Sequence, residues 1–146
     1  MNKLCTIAHE LKKHGGGYWI ARLFELLNYI IYSNHIPADV QIGDNTRFEH
    51  HGLGCVVHNK AIIGSNCKIF QNVTIGAKWP EGTKTDGVPK IGNNVQIGCG
   101  AVIIGNVTIG NNVYIGANAV VLRDVPDNSI AVGVPAKIKA RCAISD

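Results

Sequence analysis

The sequence predicts an all-β chain wound as a parallel β-helix, with a short α-helical segment ahead of the coil and one extended loop. Three observations predict this. From position 91 an apolar residue returns every sixth position, at Ile91, Ile97, Ile103, Ile109, Ile115 and Val121, and Val57, Ile63, Ile69 and Ile75 keep the same period earlier. Between Ile75 and Ile91 the phase breaks across a stretch with two Pro and two Gly. Before the repeats, Ile20, Leu23, Phe24, Leu27, Ile30 and Ile31 follow helical spacing with one apolar face.

A period of six matches neither the 3.6 of a helix nor a long alternation of two. It suits a short strand and a bend, repeated, with the same side chain turned inward each time. A second small or apolar set at Val95, Ala101, Val107, Val113 and Ala119 holds the same period. Gly92, Gly98, Gly110 and Gly116 follow the first set, with Asn93-Asn94 and Asn111-Asn112 in the gaps, and both residue types tolerate the positive φ that bends need. Coils stacked about 4.8 Å apart would join the isoleucines into one apolar column.

The elements follow in chain order. Residues 1–35 form the helical segment: a short helix around Leu4–Lys13, a break at Gly15-Gly16-Gly17, and the amphipathic stretch Tyr18 to Tyr32. That apolar face is too large to leave bare, so it is expected to pack on the coil or on a neighbouring copy. Residues 36–126 form the β-helix, with residues 77–89 as the extended loop, a feature more often functional than accidental on a rigid scaffold. Val125-Pro126-Asp127 is expected to stop the coil, leaving residues 127–146 as a basic tail.

Composition excludes several classes. Almost half of the 146 residues are apolar, which argues for one ordered domain. The net charge of +4 is spread out, with no basic run and no aromatic–basic alternation, so nucleic-acid binding is not expected. The five cysteines, Cys5, Cys55, Cys67, Cys99 and Cys142, are odd in number and form no CxxC pair, so neither a disulfide framework nor a zinc site is expected. No signal-peptide core or membrane-length apolar run is present, which points to no membrane insertion and a cytoplasmic location.

The six-residue repeat, His50-His51-Gly52 with Val56-Val57, and Gly133-Val134-Pro135-Ala136-Lys137 resemble the hexapeptide-repeat acyltransferases. The resemblance runs roughly from Ile36 to Lys139 and is nearest to the serine acetyltransferase type and its relatives that O-acetylate bacterial polysaccharides. It implies a left-handed parallel β-helix, against the usual right-handed crossover rule. It also implies acetyl-CoA as acyl donor and a homotrimer with active sites between neighbouring subunits.

Acetyl transfer from a thioester to a hydroxyl needs a base for the hydroxyl proton and a donor for the carbonyl oxyanion. No GxSxG elbow is present, so direct transfer is expected rather than an acyl-enzyme. Histidine suits the base. His50 and His51 interrupt the apolar pattern just before Gly52, and the resemblance assigns the base to His51. His35 occupies the place of the family's orienting carboxylate, with Glu49 or Asp39 as alternatives. The serine acetyltransferases carry Asp where this chain has His50, and a loop histidine where it has Val88 before Pro89-Lys90.

For the donor, the resemblance maps the pantetheine arm onto Ala77, Cys99 and Ala117, small residues at coil corners. Lys78, Lys84, Lys137, Lys139 and Arg141 are candidate partners for the coenzyme's phosphates. Trp79 and Asp86, in the loop, are candidates for substrate contact. A metal is not expected, since only His51 and His58 of the coils would be at hand and no third histidine matches. The two changed acceptor positions lead to a sugar hydroxyl of a cell-surface polysaccharide or its precursor as the expected acceptor. L-serine is the alternative within the same chemistry, and a non-catalytic or metal-binding β-helix is the alternative outside it.

Overall fold

The computed structural model describes residues 3–13, 17–78 and 87–141. Two helices, α1 (Lys3–Lys13) and α2 (Tyr18–Tyr32), precede the coil. The strands are short, mostly two residues each, and fall into three sheets. One sheet holds β1 (Gln41–Ile42), β4 (Ile62–Ile63), β7 (Lys90–Ile91) and β10 (Thr108–Ile109). A second holds β2 (Arg47–Phe48), β5 (Lys68–Ile69), β8 (Gln96–Ile97), β11 (Tyr114–Ile115), β13 (Ser129–Val132) and β14 (Lys137–Ala140). The third holds β3 (Val56–Val57), β6 (Thr74–Gly76), β9 (Val102–Ile104) and β12 (Val120–Val121). The chain visits the three sheets in turn, so they form the faces of a prism.

The registers Thr108↔Lys90 and Ile109↔Ile91 put eighteen residues in a regular coil, three repeats of six. Three coils depart from this, the last by being two residues short, with Tyr114 paired to Ile130. Gln41 pairs with Ile62, three residues beyond the regular spacing, and the excess lies in the corner that carries His50 and His51. Ile62 pairs with Lys90, ten beyond it, because the extended loop leaves and returns within that coil.

In each strand one residue faces inward and its neighbour faces out. Ile63, Ile69, Ile75, Ile97, Ile103, Ile109 and Ile115 are fully buried columns inside the prism, and Val73, Val95, Ala101, Val113 and Ala119 fill its corners. The repeat therefore records the inside of the coil.

The glycines after the isoleucines have a different reason from the one expected. None of Gly92, Gly98, Gly110 and Gly116 has positive φ; the left-handed corner positions belong to Asn45, Asn66, Asn94, Asn112 and Asn128. The glycines are needed because consecutive coils nearly touch there. A Cβ at Gly64 would lie 2.5 Å from the Gly92 carbonyl oxygen, and one at Gly92 2.9 Å from that of Gly110. The asparagines then stitch the corner, with Ser65, Asn93 and Asn111 backbone N–H groups donating to the side-chain oxygens of Asn93, Asn111 and Asp127 at 2.8, 2.9 and 2.6 Å.

One other expectation is corrected. The coil does not stop at residue 126: β13 continues its sheet in parallel with β11, and β14 folds back antiparallel on β13. Ala131 takes the inward position below which Ile115 lies, so the core continues past Pro126. Within this chain helix α2 turns inward by a different stripe from the apolar one, Ala21, Glu25, Asn28 and Tyr32, with Ala21 buried and Glu25 Oε1 accepting the Ala38 N–H at 2.8 Å. Ile20, Leu23, Leu27 and Ile30 stay exposed on the outer side. Polar anchoring to the coil's own backbone decides which face turns in.

Candidate active site

The corner between β2 and β3 is where the coil is least regular. His50 and His51 both have left-handed backbones, with φ 50 and 61, and Gly52 and Gly54 follow at φ 74 and 65. A left-handed conformation at a non-glycine residue costs on the order of 1–2 kcal/mol, so two in succession persist only when the surroundings impose them. Several contacts do so. The His50 carbonyl accepts the Leu53 N–H at 3.2 Å, the Gly52 carbonyl accepts the Cys55 N–H at 3.0 Å, and the Tyr32 carbonyl accepts the Gly54 N–H at 3.2 Å.

Gly52 cannot be another residue here. Beyond its positive φ, a Cβ would sit 3.1 Å from Ile36 Cδ1 and 3.3 Å from Phe48 Cβ. The turn thus projects two exposed histidines from a buried glycine pivot. The Tyr32 ring stacks on His51, centroids 5.1 Å apart and planes at 27°, and His50 lies 6.4 Å from the Phe70 ring. A neutral imidazole exposed at such a corner has the chemistry of a proton acceptor.

The corner column above His51 contains two of the predicted donor positions. The Asn72 N–H donates to Leu53, Gly100 to Gln71 and Asn118 to Cys99, so Gln71, Cys99 and Ala117 rise in file over the His51 turn. Ala77 and Lys78 lie on the next corner, where Lys78 and Gly87 close the base of the extended loop by mutual backbone hydrogen bonds of 3.0 and 3.3 Å. Lys137 and Lys139 are exposed on β14, and Lys137 borders a 410 Å³ cavity with Leu122, Arg123, Val134 and Pro135. Arg141 donates its backbone N–H to Asn128. Trp79, Lys84 and Asp86 lie outside the described residues.

The remaining candidates are dispersed. His35 bridges Val56 and lines a 330 Å³ cavity with Arg22, Asp39, His58 and Gly76. His58 Nδ1 accepts the Lys60 N–H at 3.2 Å, and Asp39 is paired with Lys12. Glu49 is half-buried, 4.0 Å from Arg47 Nε. Asn34 reaches His51 at its main chain, its Nδ2 donating to the His51 carbonyl at 3.2 Å. The sequence held a faint signal for this: two asparagines, Asn28 and Asn34, in and just after a mostly apolar helix. Among the described residues no group of three or more His, Cys, Asp or Glu is arranged to hold a metal ion.

Burial pushes the thiols of Cys55 and Cys67 above the ordinary range, with hydrogen bonds offsetting this in part. Their Sγ atoms donate to the Phe70 and Gly92 carbonyls, each at 3.2 Å. A thiol with a raised folded value contributes stability below the unfolded value of about 8.5 and loses it as pH rises through the folded one. Iodoacetamide at pH 8 is therefore expected to spare Cys55 and Cys67 and to modify half-exposed Cys99 first among these three. Peptide mass mapping before and after unfolding checks this.

Residues 89–123 match the family described as bacterial transferase hexapeptide (six repeats). The chain is 38% identical over 125 residues to the serine acetyltransferase of Synechococcus elongatus, covering 86% of this chain and 50% of that one. It is 43% identical over 132 residues to the serine acetyltransferase of Staphylococcus xylosus, covering 90% and 59%. A serine acetyltransferase solved in complex with CoA superposes with a TM-score of 0.78 at 32% identity, over 93% of this chain and 54% of that one. The Neisseria gonorrhoeae serine acetyltransferase in complex with serine does so with a TM-score of 0.80 at 34% identity, over 94% and 54%. The chain thus spans about half of the length of the relatives it matches.

These likenesses overturn the sugar acceptor expected from the sequence, since the relatives just named are serine acetyltransferases. The structure shows why part of that reasoning misled. Val88 is buried at the loop's return, so its apolar side chain answers to the core and says little about an acceptor. Repeat, sequence and superposition agree that the chain is similar over most of its own length to serine acetyltransferases and shares their fold, a left-handed parallel β-helix seen here as the prism.

Proposed function

We propose that the chain transfers the acetyl group of acetyl-CoA to the hydroxyl of L-serine, with His51 as general base. His51 takes the hydroxyl proton as the serine oxygen attacks the thioester carbonyl. The C–S bond then breaks, the ester C–O bond remains, and the proton passes to the departing CoA thiolate. The observation that carries this reading is the His50-His51-Gly52 turn, held in a strained conformation at a corner whose column leads to Cys99 and Ala117. Small residues along that column suit the close approach of a pantetheine arm, and a relative of the same fold was solved with CoA.

The reaction needs more than one copy. The His51 turn and the base of the extended loop occupy different corners of the prism, so a site using both is made between subunits. A homotrimer with three such sites supports this geometry. Lys78, Lys137 and Lys139 then serve as phosphate contacts, and Trp79 and Asp86 in the loop as acceptor contacts, in a protein working where acetyl-CoA is abundant, in the cytoplasm.

The test is purified protein with acetyl-CoA and L-serine, following CoA thiol release and O-acetylserine by mass spectrometry. Serine-dependent release of thiol and ester in equal amounts supports the reading. Absence of both, in protein that binds neither CoA nor serine by calorimetry, removes it.

A further inference from the structure

Two buried polar side chains of the N-terminal segment have no part in the reaction as described. Asn28 and Asn34 are 2% and 1% exposed. Asn28 Nδ2 donates to Asn34 Oδ1 at 2.6 Å, and Asn34 Nδ2 donates to the His51 carbonyl at 3.2 Å. The direction of this relay is dictated from its far end. A peptide carbonyl only accepts, so Asn34 must turn its NH₂ toward His51 and its oxygen toward α2. Buried there, that oxygen requires a donor, and Asn28 supplies one.

The receiving end is the strained point of the corner, where His51 sits at φ 61 and ψ 13. The same helix also brings the Tyr32 ring against the His51 imidazole and the Tyr32 carbonyl to the Gly54 N–H. Helix α2 thus grips the turn at its main chain on both sides of Gly52 and at its ring.

We infer that Asn28 and Asn34 are positioning residues, an amide relay that ties helix α2 to the His51 main chain and so aims the imidazole at the reacting hydroxyl. The inference rests on His51 being the base. The relay acts through the His51 main chain, and Glu49 lies by Arg47, outside it.

Asn28→Asp tests it with almost no change of shape. The carboxylate presents an acceptor to Asn34, whose NH₂ must then turn from His51 to meet it, leaving two oxygens opposed at the His51 carbonyl. The expected result is a fall in kcat of about 10- to 100-fold, the scale of a roughly 1 Å misplacement of a catalytic group. KM for acetyl-CoA and the stoichiometry of CoA binding remain as in the wild type. A general loss of folded protein would lower the stoichiometry along with kcat. Should the aspartate variant not fold, Asn28→Ala gives the same pattern with a smaller loss.

Wild-type kcat in folded Asn28→Asp overturns the relay while leaving the role of His51 standing. A wild type without turnover overturns the proposed reaction instead. The relay is then decided by nuclear Overhauser contacts between the Tyr32 and His51 rings. Their presence in the wild type and loss in Asn28→Asp uphold it, and their retention in the variant overturns it.

Discussion

His51→Ala is expected to lower kcat for serine acetylation by about 10²- to 10⁴-fold, the usual contribution of a positioned general base. KM for acetyl-CoA should change little, because the predicted donor contacts, Ala77, Cys99 and Ala117, do not involve the imidazole. The folded state should also persist: the His51 side chain is exposed, and the turn is gripped through its backbone. Steady-state kinetics with thermal unfolding in parallel separates the two effects. Full turnover in the alanine variant would leave His51 a structural corner and send the search for the base to His50, which shares the turn.

The largest expected effect on stability comes from the inward column. Ile97 is fully buried and lies in register between Ile69 and Ile115. Ile97→Ala should destabilise the chain by about 2–5 kcal/mol, from lost burial and from a cavity that rigid coils fill poorly. In a stacked architecture each coil is stabilised chiefly by its neighbours, so one void weakens two coil–coil interfaces at once. Ile62→Ala is the control, since Ile62 is the outward neighbour of inward Ile63 in β4 and is exposed. It should stay within about 0.5 kcal/mol. Urea unfolding checks both, with the midpoint moving and the slope unchanged.

Much of the fold was legible because the coil is nearly one-dimensional. In a regular coil each inward residue meets its counterpart eighteen positions on, so a contact in space is also a spacing in sequence. The break at residues 77–89 and the interruption at His50-His51 were readable as departures from that spacing. Reasons were harder to read than positions. The glycines after each isoleucine were assigned to positive φ, whereas they make room for the next coil, a distance no spacing reveals. Val88 looked like a missing acceptor contact and is a core residue.

The sequence by itself determined the architecture: which residues face inward, the six-residue period, where the loop leaves, and that His50-His51-Gly52 interrupts the repeat. These follow from a local period and from the chemistry of Gly, Asn and Ile. Only the tertiary structure decided how the helical segment meets the coil. An apolar stripe predicts burial, yet α2 turns its polar stripe inward because Glu25, Asn28 and the Tyr32 carbonyl satisfy the Ala38 N–H, Asn34 and the Gly54 N–H of the coil. Those partners lie as far apart in sequence as Asn34 and His51, and no repeat connects them. Hydrogen-bond satisfaction between elements of different period is a property of the assembled fold, and here it is what holds the His51 corner.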